Sequence, residues 1–258
     1  VIRYLICLGI LFGFSGLQAD TPPTPSAPSP AEVVPEQQLL DQTLNFARRH
    51  QAFKELEFRQ HEDEFVRLVD EGQSPQTLFI GCSDSRIIPE LVLNMRPGDL
   101  FVIRTAGNFV PPANFQEADG VMATVQYAVE VLNVRHIIIC GHSHCGAIKG
   151  LFQELDPAKF GILKRWLQFG EQAKKMALLT AKPSTPNEDL YALTEKISVI
   201  YQLEHLLSYP FIKRRVDEGK LQLHGWYFRI ETGDIFYYDP QQYRFTLLSE
   251  KLQTAHAK

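Results

Sequence analysis

The stretch GCSDSR (residues 81–86) sets a thiol, a carboxylate and a guanidinium on alternate positions, Cys82, Asp84 and Arg86, straight after the apolar run TLFI. A second stretch, GHSHCGA (residues 141–147), follows the apolar run HIIIC and adds an imidazole and another thiol three residues apart, His142 and Cys145. Zinc takes thiolate sulfur and imidazole nitrogen, and its catalytic sites keep three protein ligands with the fourth position open. Cys82, His142 and Cys145 make such a set for one zinc ion per chain. HxxC alone is a weak signal; a cysteine at one strand end with HxxC at another is a stronger one. Two chemistries stay open for Asp84. It can close a structural zinc site as fourth ligand. It can instead pair with Arg86 through a two-pronged charged hydrogen bond, which leaves the fourth position to water and places an acceptor beside that water. The blander reading of this pair, a surface salt bridge worth little, fits poorly with its place directly after a buried strand. Cys82 as a covalent nucleophile is a further alternative.

Positioning these groups requires strands whose ends meet. Short apolar runs bounded by turn residues predict strands over 77–81, 100–104 and 136–140. Helical spacing predicts two helices within 37–71, broken between 50 and 54, and further helices over 119–132, 146–155, 160–179 and 188–207. A closing hairpin is expected from 222–230 and 234–238, joined through Gly233. Apolar strands alternating with helices imply an α/β fold with a central, mostly parallel sheet covered on both faces. Ligands collect beyond the carboxyl ends of such strands, where Cys82 and His142 both fall.

The 258 residues divide unevenly. Residues 1–19 carry an early arginine, an apolar stretch and then small and polar residues, the layout of a secretory signal peptide, with an uncleaved anchor as the alternative. Residues 20–36 are proline-rich and read as an extended linker. A single domain is expected over 37–258, with export to the periplasm and no stable membrane span once the signal is removed. The formal charge of −4 and the lack of a basic run exclude a nucleic-acid partner. Beyond Cys7 three cysteines remain, Cys82, Cys140 and Cys145. An odd count in an exported chain, two of them near Asp and His, favours metal ligation over cross-linking. Cys140, inside an apolar strand, reads as a buried hydrophobe. His136, His144 and His224 read as structural or outward-pointing residues, although an imidazole beside the ligands could also shuttle protons.

CSDSR followed by HSHCG resembles the β-class carbonic anhydrases, and the likeness runs through QSPQTLFIGCSDSRIIPELVLNMRPGDLFVIRTAGNFVPP and DGVMATVQYAVEVLNVRHIIICGHSHCGAIKGL. The resemblance implies zinc ligation by Cys82, His142 and Cys145, and a dyad of Asp84 and Arg86 gating the fourth position. It implies a homodimer or higher homo-oligomer, with N-terminal helices packing on the partner and pockets at the subunit boundary. It also implies reversible hydration of CO2 to bicarbonate and a proton by hydroxide on the zinc. Gln73, Phe101 and Tyr127 fall on the positions where the plant-like, open-site members carry a substrate glutamine, a phenylalanine and a tyrosine. Phe79 stands where the bicarbonate-inhibited members have tryptophan. Ala106 departs from the larger valine usual in plant members. Two thiolates cancel the formal charge of zinc, so activity rising towards alkaline pH is expected. The alternatives are a zinc- or bicarbonate-binding homologue without turnover, and a hydrolase of CS2 or COS on the same scaffold.

Overall fold

The computed structural model describes residues 36–115 and 120–251. The expected signal peptide (1–19) and all but the last residue of the expected linker (20–36) lie outside the described residues, as does Asp119. Two compact units divide at Gln60. The first holds α1 (Glu36–Phe53), which continues as a π-helical turn, Lys54–Phe58. No glycine or proline interrupts residues 37–71. The expected break between 50 and 54 is displaced instead: the helix runs on through the π turn to Gln60, and the chain leaves helical geometry at His61 (φ −123°, ψ 14°).

The second unit carries α2 (Glu62–Glu71) and six strands: β1 (Thr77–Cys82), β2 (Leu100–Thr105), β3 (His136–His142), β4 (Gln222–Arg229), β5 (Asp234–Asp239) and β6 (Arg244–Leu247). Their order across the sheet is β2-β1-β3-β4-β5-β6. The first four are mutually parallel, and β5 and β6 run antiparallel at one edge. The expected α/β fold is present; β6, rich in polar residues, was not foreseen. Between the strands come α3 (Pro89–Leu93), α4 (Gly120–Gln126) with its π-helical turn Tyr127–Val131, α5 (Gly146–Gly150), α6 (Pro157–Leu167), α7 (Glu171–Thr180), α8 (Asn187–Leu207) and α9 (Pro210–Asp217).

Two of the expected helices change on folding. The one over 160–179 is split into α6 and α7 by a 3-10 turn at Gln168–Gly170. A Cβ on Gly170 would lie 2.6 Å from the ring of Phe109, so the chain bends where only glycine lets it approach. The one over 146–155 stops at Gly150.

Period-2 alternation puts Leu78 and Ile80 of β1 on one face with Ile137 and Ile139 of β3, against α4, α8 and α9. Phe79, Ile138 and Cys140 form the opposite face with Phe228. Each fully buried Ile or Leu contributes roughly 1.5–3 kcal/mol, and together they lock the register Ile80↔Ile139 and Gly81↔Cys140. A one-residue slip would turn both apolar sets to the wrong faces. Gly141 belongs to this fit: a Cβ there would lie 2.7 Å from Val199 Cγ2 on α8. Gly141→Ala is expected to destabilise the protein by about 1–3 kcal/mol, lowering Tm by roughly 2–4 °C per kcal/mol in a domain of this size; thermal unfolding measures it.

Candidate active site

β1 and β3 end side by side, and Cys82 and His142 are their last residues. The chain then turns through Ser143 and His144 into α5, with Cys145 at the helix N-cap. Cys82, His142 and Cys145 are 5%, 1% and 1% exposed, and their ligand atoms lie within 4.8 Å of one another. His142 Nδ1 sits 2.8 Å from the carbonyl oxygen of Ser143. That oxygen can only accept, so Nδ1 carries the proton and Nε2 presents its lone pair. Nε2 is buried and, among the described residues, makes no hydrogen bond of ordinary geometry. Cys82 is held far below the usual thiol range, chiefly because the Cys145 thiol donates to its sulfur, and the same bond pushes Cys145 up. The Gly107 N–H adds a donor 3.4 Å from Cys82 Sγ. A ready thiolate, a proton that a cation would displace and an orphaned imidazole nitrogen together fit a zinc ion. Cys140 differs in kind: full burial pushes its thiol up to about 12, and it packs as a hydrophobe on the far face of the sheet.

Both oxygens of the Asp84 carboxylate have partners, Oδ1 two and Oδ2 one. Arg86 Nε donates to Oδ1 at 2.9 Å and its NH2 to Oδ2 at 2.7 Å, while the Arg86 backbone N–H donates to Oδ1 at 3.0 Å. This two-pronged contact holds the Asp84 carboxyl far below the usual carboxylate range. Arg86 NH2 also donates to the carbonyl oxygen of His144 at 3.1 Å, so one guanidinium joins the loop after β1 to the loop after β3.

Several groups in this region gave no sign in the sequence. Arg104 of β2 donates to the carbonyl oxygens of Cys82 (3.0 Å) and Asp84 (2.6 Å), bracing the GCSDSR turn. Ser143 Oγ donates to Glu231 at 2.6 Å and accepts from the Ile230 N–H at 2.9 Å. The Cys145 N–H donates to Glu195 of α8 at 2.9 Å. An arginine ending an otherwise apolar strand was the one available signal, and it concerned Arg104. His144 is an exposed turn residue with φ 58°. His136 and His224 pair with each other, 3.2 Å apart, at the amino ends of β3 and β4.

Gln73, Phe101 and Tyr127 are not brought to the metal group within the chain. The rings of Phe101 and Tyr127 are 5.9 Å apart. Phe101 pairs with Leu78, four residues before the Cys82↔Thr105 pair, or about 13 Å along the strand. Gln73 precedes β1 and so lies at its amino end. Ala106, at the carboxyl end of β2, accepts from Trp166 Nε1 at 2.8 Å and lines a groove of about 870 Å³ with Ser83, Arg104 and α6.

Parallel strands ending in a thiolate–imidazole–thiolate group define an α/β metalloprotein with its site beyond the sheet. The family model described as carbonic anhydrase matches residues 77–235. A carbonic anhydrase of Synechocystis is 41% identical over 190 residues, covering 73% of this chain and 68% of its own. One of Helicobacter pylori strain J99 is 38% identical over 206 residues, covering 77% and 93%. Among solved structures, the β-carbonic anhydrase CcaA superposes with a TM-score of 0.74 at 38% identity, covering 80% of this chain and 99% of that one. One of two tetrameric β-carbonic anhydrases from Sordaria macrospora gives 0.67 at 30% identity, covering 76% and 96%. The chain belongs to the β class of the carbonic anhydrase family.

The Arg86 contact has a titration consequence. A carboxylate whose folded pKa is depressed contributes stability above its unfolded value of about 3.9, and that stability is lost as pH falls through the folded value. In Arg86→Ala the Asp84 carboxyl is expected to titrate within the ordinary carboxylate range, while in the wild type it stays ionised at pH 3; carboxyl-carbon NMR reads both.

Proposed function

We propose that this chain catalyses the reversible hydration of CO2, CO2 + H2O ⇌ HCO3⁻ + H⁺, with an open-site arrangement of the plant-like kind. The observation that carries the open-site reading is the engagement of both Asp84 carboxylate oxygens by Arg86. A carboxylate held in that way is not available to close the metal's fourth position. Phe79 in place of a tryptophan and the presence of Gln73 support the same subtype.

Cys82, His142 and Cys145 would hold the zinc. Bound there, zinc would supply an acidified water near neutral pH, less acidic than at a three-imidazole site because two thiolates cancel the formal charge. Asp84 would accept a hydrogen bond from a water held there and so orient it towards the carbon of CO2. Arg86 keeps Asp84 ionised and fixed. Gln73 donates an amide N–H to an oxygen of CO2 or bicarbonate, and Phe101 and Tyr127 form the apolar cradle.

These last three residues sit at the amino end of the sheet, so we assign them to the site of a second copy in a homodimer or larger homo-oligomer. Tyr127 is 45% exposed although it packs on Phe101, and exposed Leu39, Leu40, Leu44 and Phe46 on α1 supply an apolar face for the N-terminal helices to place on a partner. We further place the mature chain, a single domain over 37–258, outside the cytoplasm after loss of 1–19, with 20–36 as its tether. Among the described residues no helix is long and apolar enough to cross a membrane.

Stopped-flow CO2 hydration against pH tests the reading. The expected outcome is rapid hydration that climbs towards alkaline pH. Asp84→Ala is expected to lose roughly 100-fold or more in kcat/KM, in the range of a lost acid–base group. Zinc content is expected to fall from one per chain to near none in Cys82→Ser. One zinc per chain with no hydration at any pH would contradict the enzyme reading and leave a binding protein or another linear substrate.

A further inference from the structure

The metal loop has a weak anchor of its own. α5 is five residues long, and no side chain caps its N-terminus at Cys145. Its support comes from fifty residues away. Glu195 lies on α8, a helix of 21 residues whose buried face repeats at Leu190, Thr194, Glu195, Ser198, Val199, Gln202 and Leu206. Its side chain is 3% exposed, and each carboxylate oxygen has one partner. Oε1 accepts the Cys145 N–H at 2.9 Å, and Oε2 accepts the hydroxyl of Tyr227 at 2.9 Å. Tyr227 is also 3% exposed, and its β4 position pairs with Gly141, the residue before His142.

A carboxyl group buried this deeply costs several kcal/mol unless its bonds are complete, and an apolar residue would fill the same volume without that cost. What the acid supplies is an acceptor aimed at the backbone N–H of one metal ligand. Tyr227 removes the second oxygen's freedom to rotate and so fixes that aim. The other contacts of the loop hold Ser143 and His144. Glu195 reaches the backbone of Cys145 itself, from outside the metal group. The result is a chain of contacts, sheet to helix to ligand, in which a side chain outside the metal group sets where the second sulfur stands.

We infer that Glu195, oriented by Tyr227, is a positioning residue that holds Cys145 in its metal-binding geometry; this rests on the zinc reading above. Outer partners of metal ligands typically change affinity by about 10–100-fold when removed, and that is the scale expected here.

The test separates position from stability. In the full chain, the double variant Glu195→Met/Tyr227→Phe removes the paired carboxyl and hydroxyl and keeps their volume, so the folding cost is confined to one buried donor, the Cys145 N–H, left without its acceptor. The zinc-free double variant is expected to unfold within a few degrees of wild type. Chelator competition is expected to show zinc bound roughly 10–100-fold more weakly. In the cobalt(II)-substituted protein, the thiolate-to-metal charge-transfer band is expected to lose intensity as one sulfur disengages. Glu195→Gln keeps an acceptor for the Cys145 N–H and a donor for the Tyr227 oxygen, so its zinc affinity is expected to stay within about threefold of wild type, against the larger loss when the contact is removed. Should the double variant fail to fold, Tyr227→Phe alone is expected to weaken zinc measurably, by less than the full loss. Wild-type affinity and cobalt spectrum in the double variant, or in Tyr227→Phe where that variant stands in, would overturn the assignment. So would a Glu195→Gln as weak as the double variant, which would make charge and not position the source. Wild-type protein is measured first: failure to take up either metal overturns the zinc reading and this inference with it, whereas metal uptake that is indifferent to these variants overturns the inference alone.

Discussion

The structure depends on the parallel register of β1 and β3. Gly81 lies beside Cys140, the last pair between the two strands, so Cys82 on one and Gly141 with His142 on the other reach the carboxyl end of the sheet together. Alternation puts Cys82 with Ile80 and His142 with Cys140, on opposite faces. Their ligand atoms meet past the last β1–β3 pair, where Cys82 is still paired with Thr105 on β2 and His142 with Phe228 on β4. Without the apolar interlock of Leu78, Ile80, Ile137 and Ile139 there would be no fixed point at which two sulfurs and a nitrogen converge.

Beyond the strands, the site is held by charged hydrogen bonds from two solvent-exposed arginines, Arg86 and Arg104, at the rim of the buried metal group. Arg86 binds Asp84 and the His144 carbonyl at once, so the group that governs the carboxylate also governs the loop carrying two metal ligands. Arg104 does the same for the carbonyls of the GCSDSR turn. These contacts fix groups that must not move as charge shifts in a reaction, which is how preorganised sites lower barriers. The site is therefore stiff where the metal would bind and open at the groove beside Ala106.

Much of this was legible in the sequence, for physical reasons. Strand runs of five or so apolar residues, each ending in a chemically active side chain, predict both the sheet and the gathering of Cys82, His142 and Cys145. The sequence leaves Asp84 two readings, fourth ligand or partner of Arg86; the structure makes the second, in a turn closed by the Ile87 N–H on the Asp84 carbonyl oxygen. Glu195 was not legible: it lies fifty residues from Cys145 within a helix, and nothing local marks a buried acid. Nor was the turn at Gly170, imposed by the ring of Phe109 from another part of the fold. Gln73, Phe101 and Tyr127 are expected at the substrate, yet one chain leaves them at the other end of its strands. A linear motif carries residue types; it does not say which copy of the chain supplies them.

The central claim is that two thiolates and one imidazole hold a metal whose fourth position Asp84 leaves open. X-ray absorption at the zinc edge of the full-length protein near pH 8 tests it most directly. The expected spectrum has two sulfurs at about 2.3 Å, one imidazole nitrogen near 2.0–2.1 Å and a single further light atom that exchanges for an added anion and persists in Asp84→Asn. A shell that loses its fourth ligand in Asp84→Asn, or one with other than two sulfurs, would contradict the account.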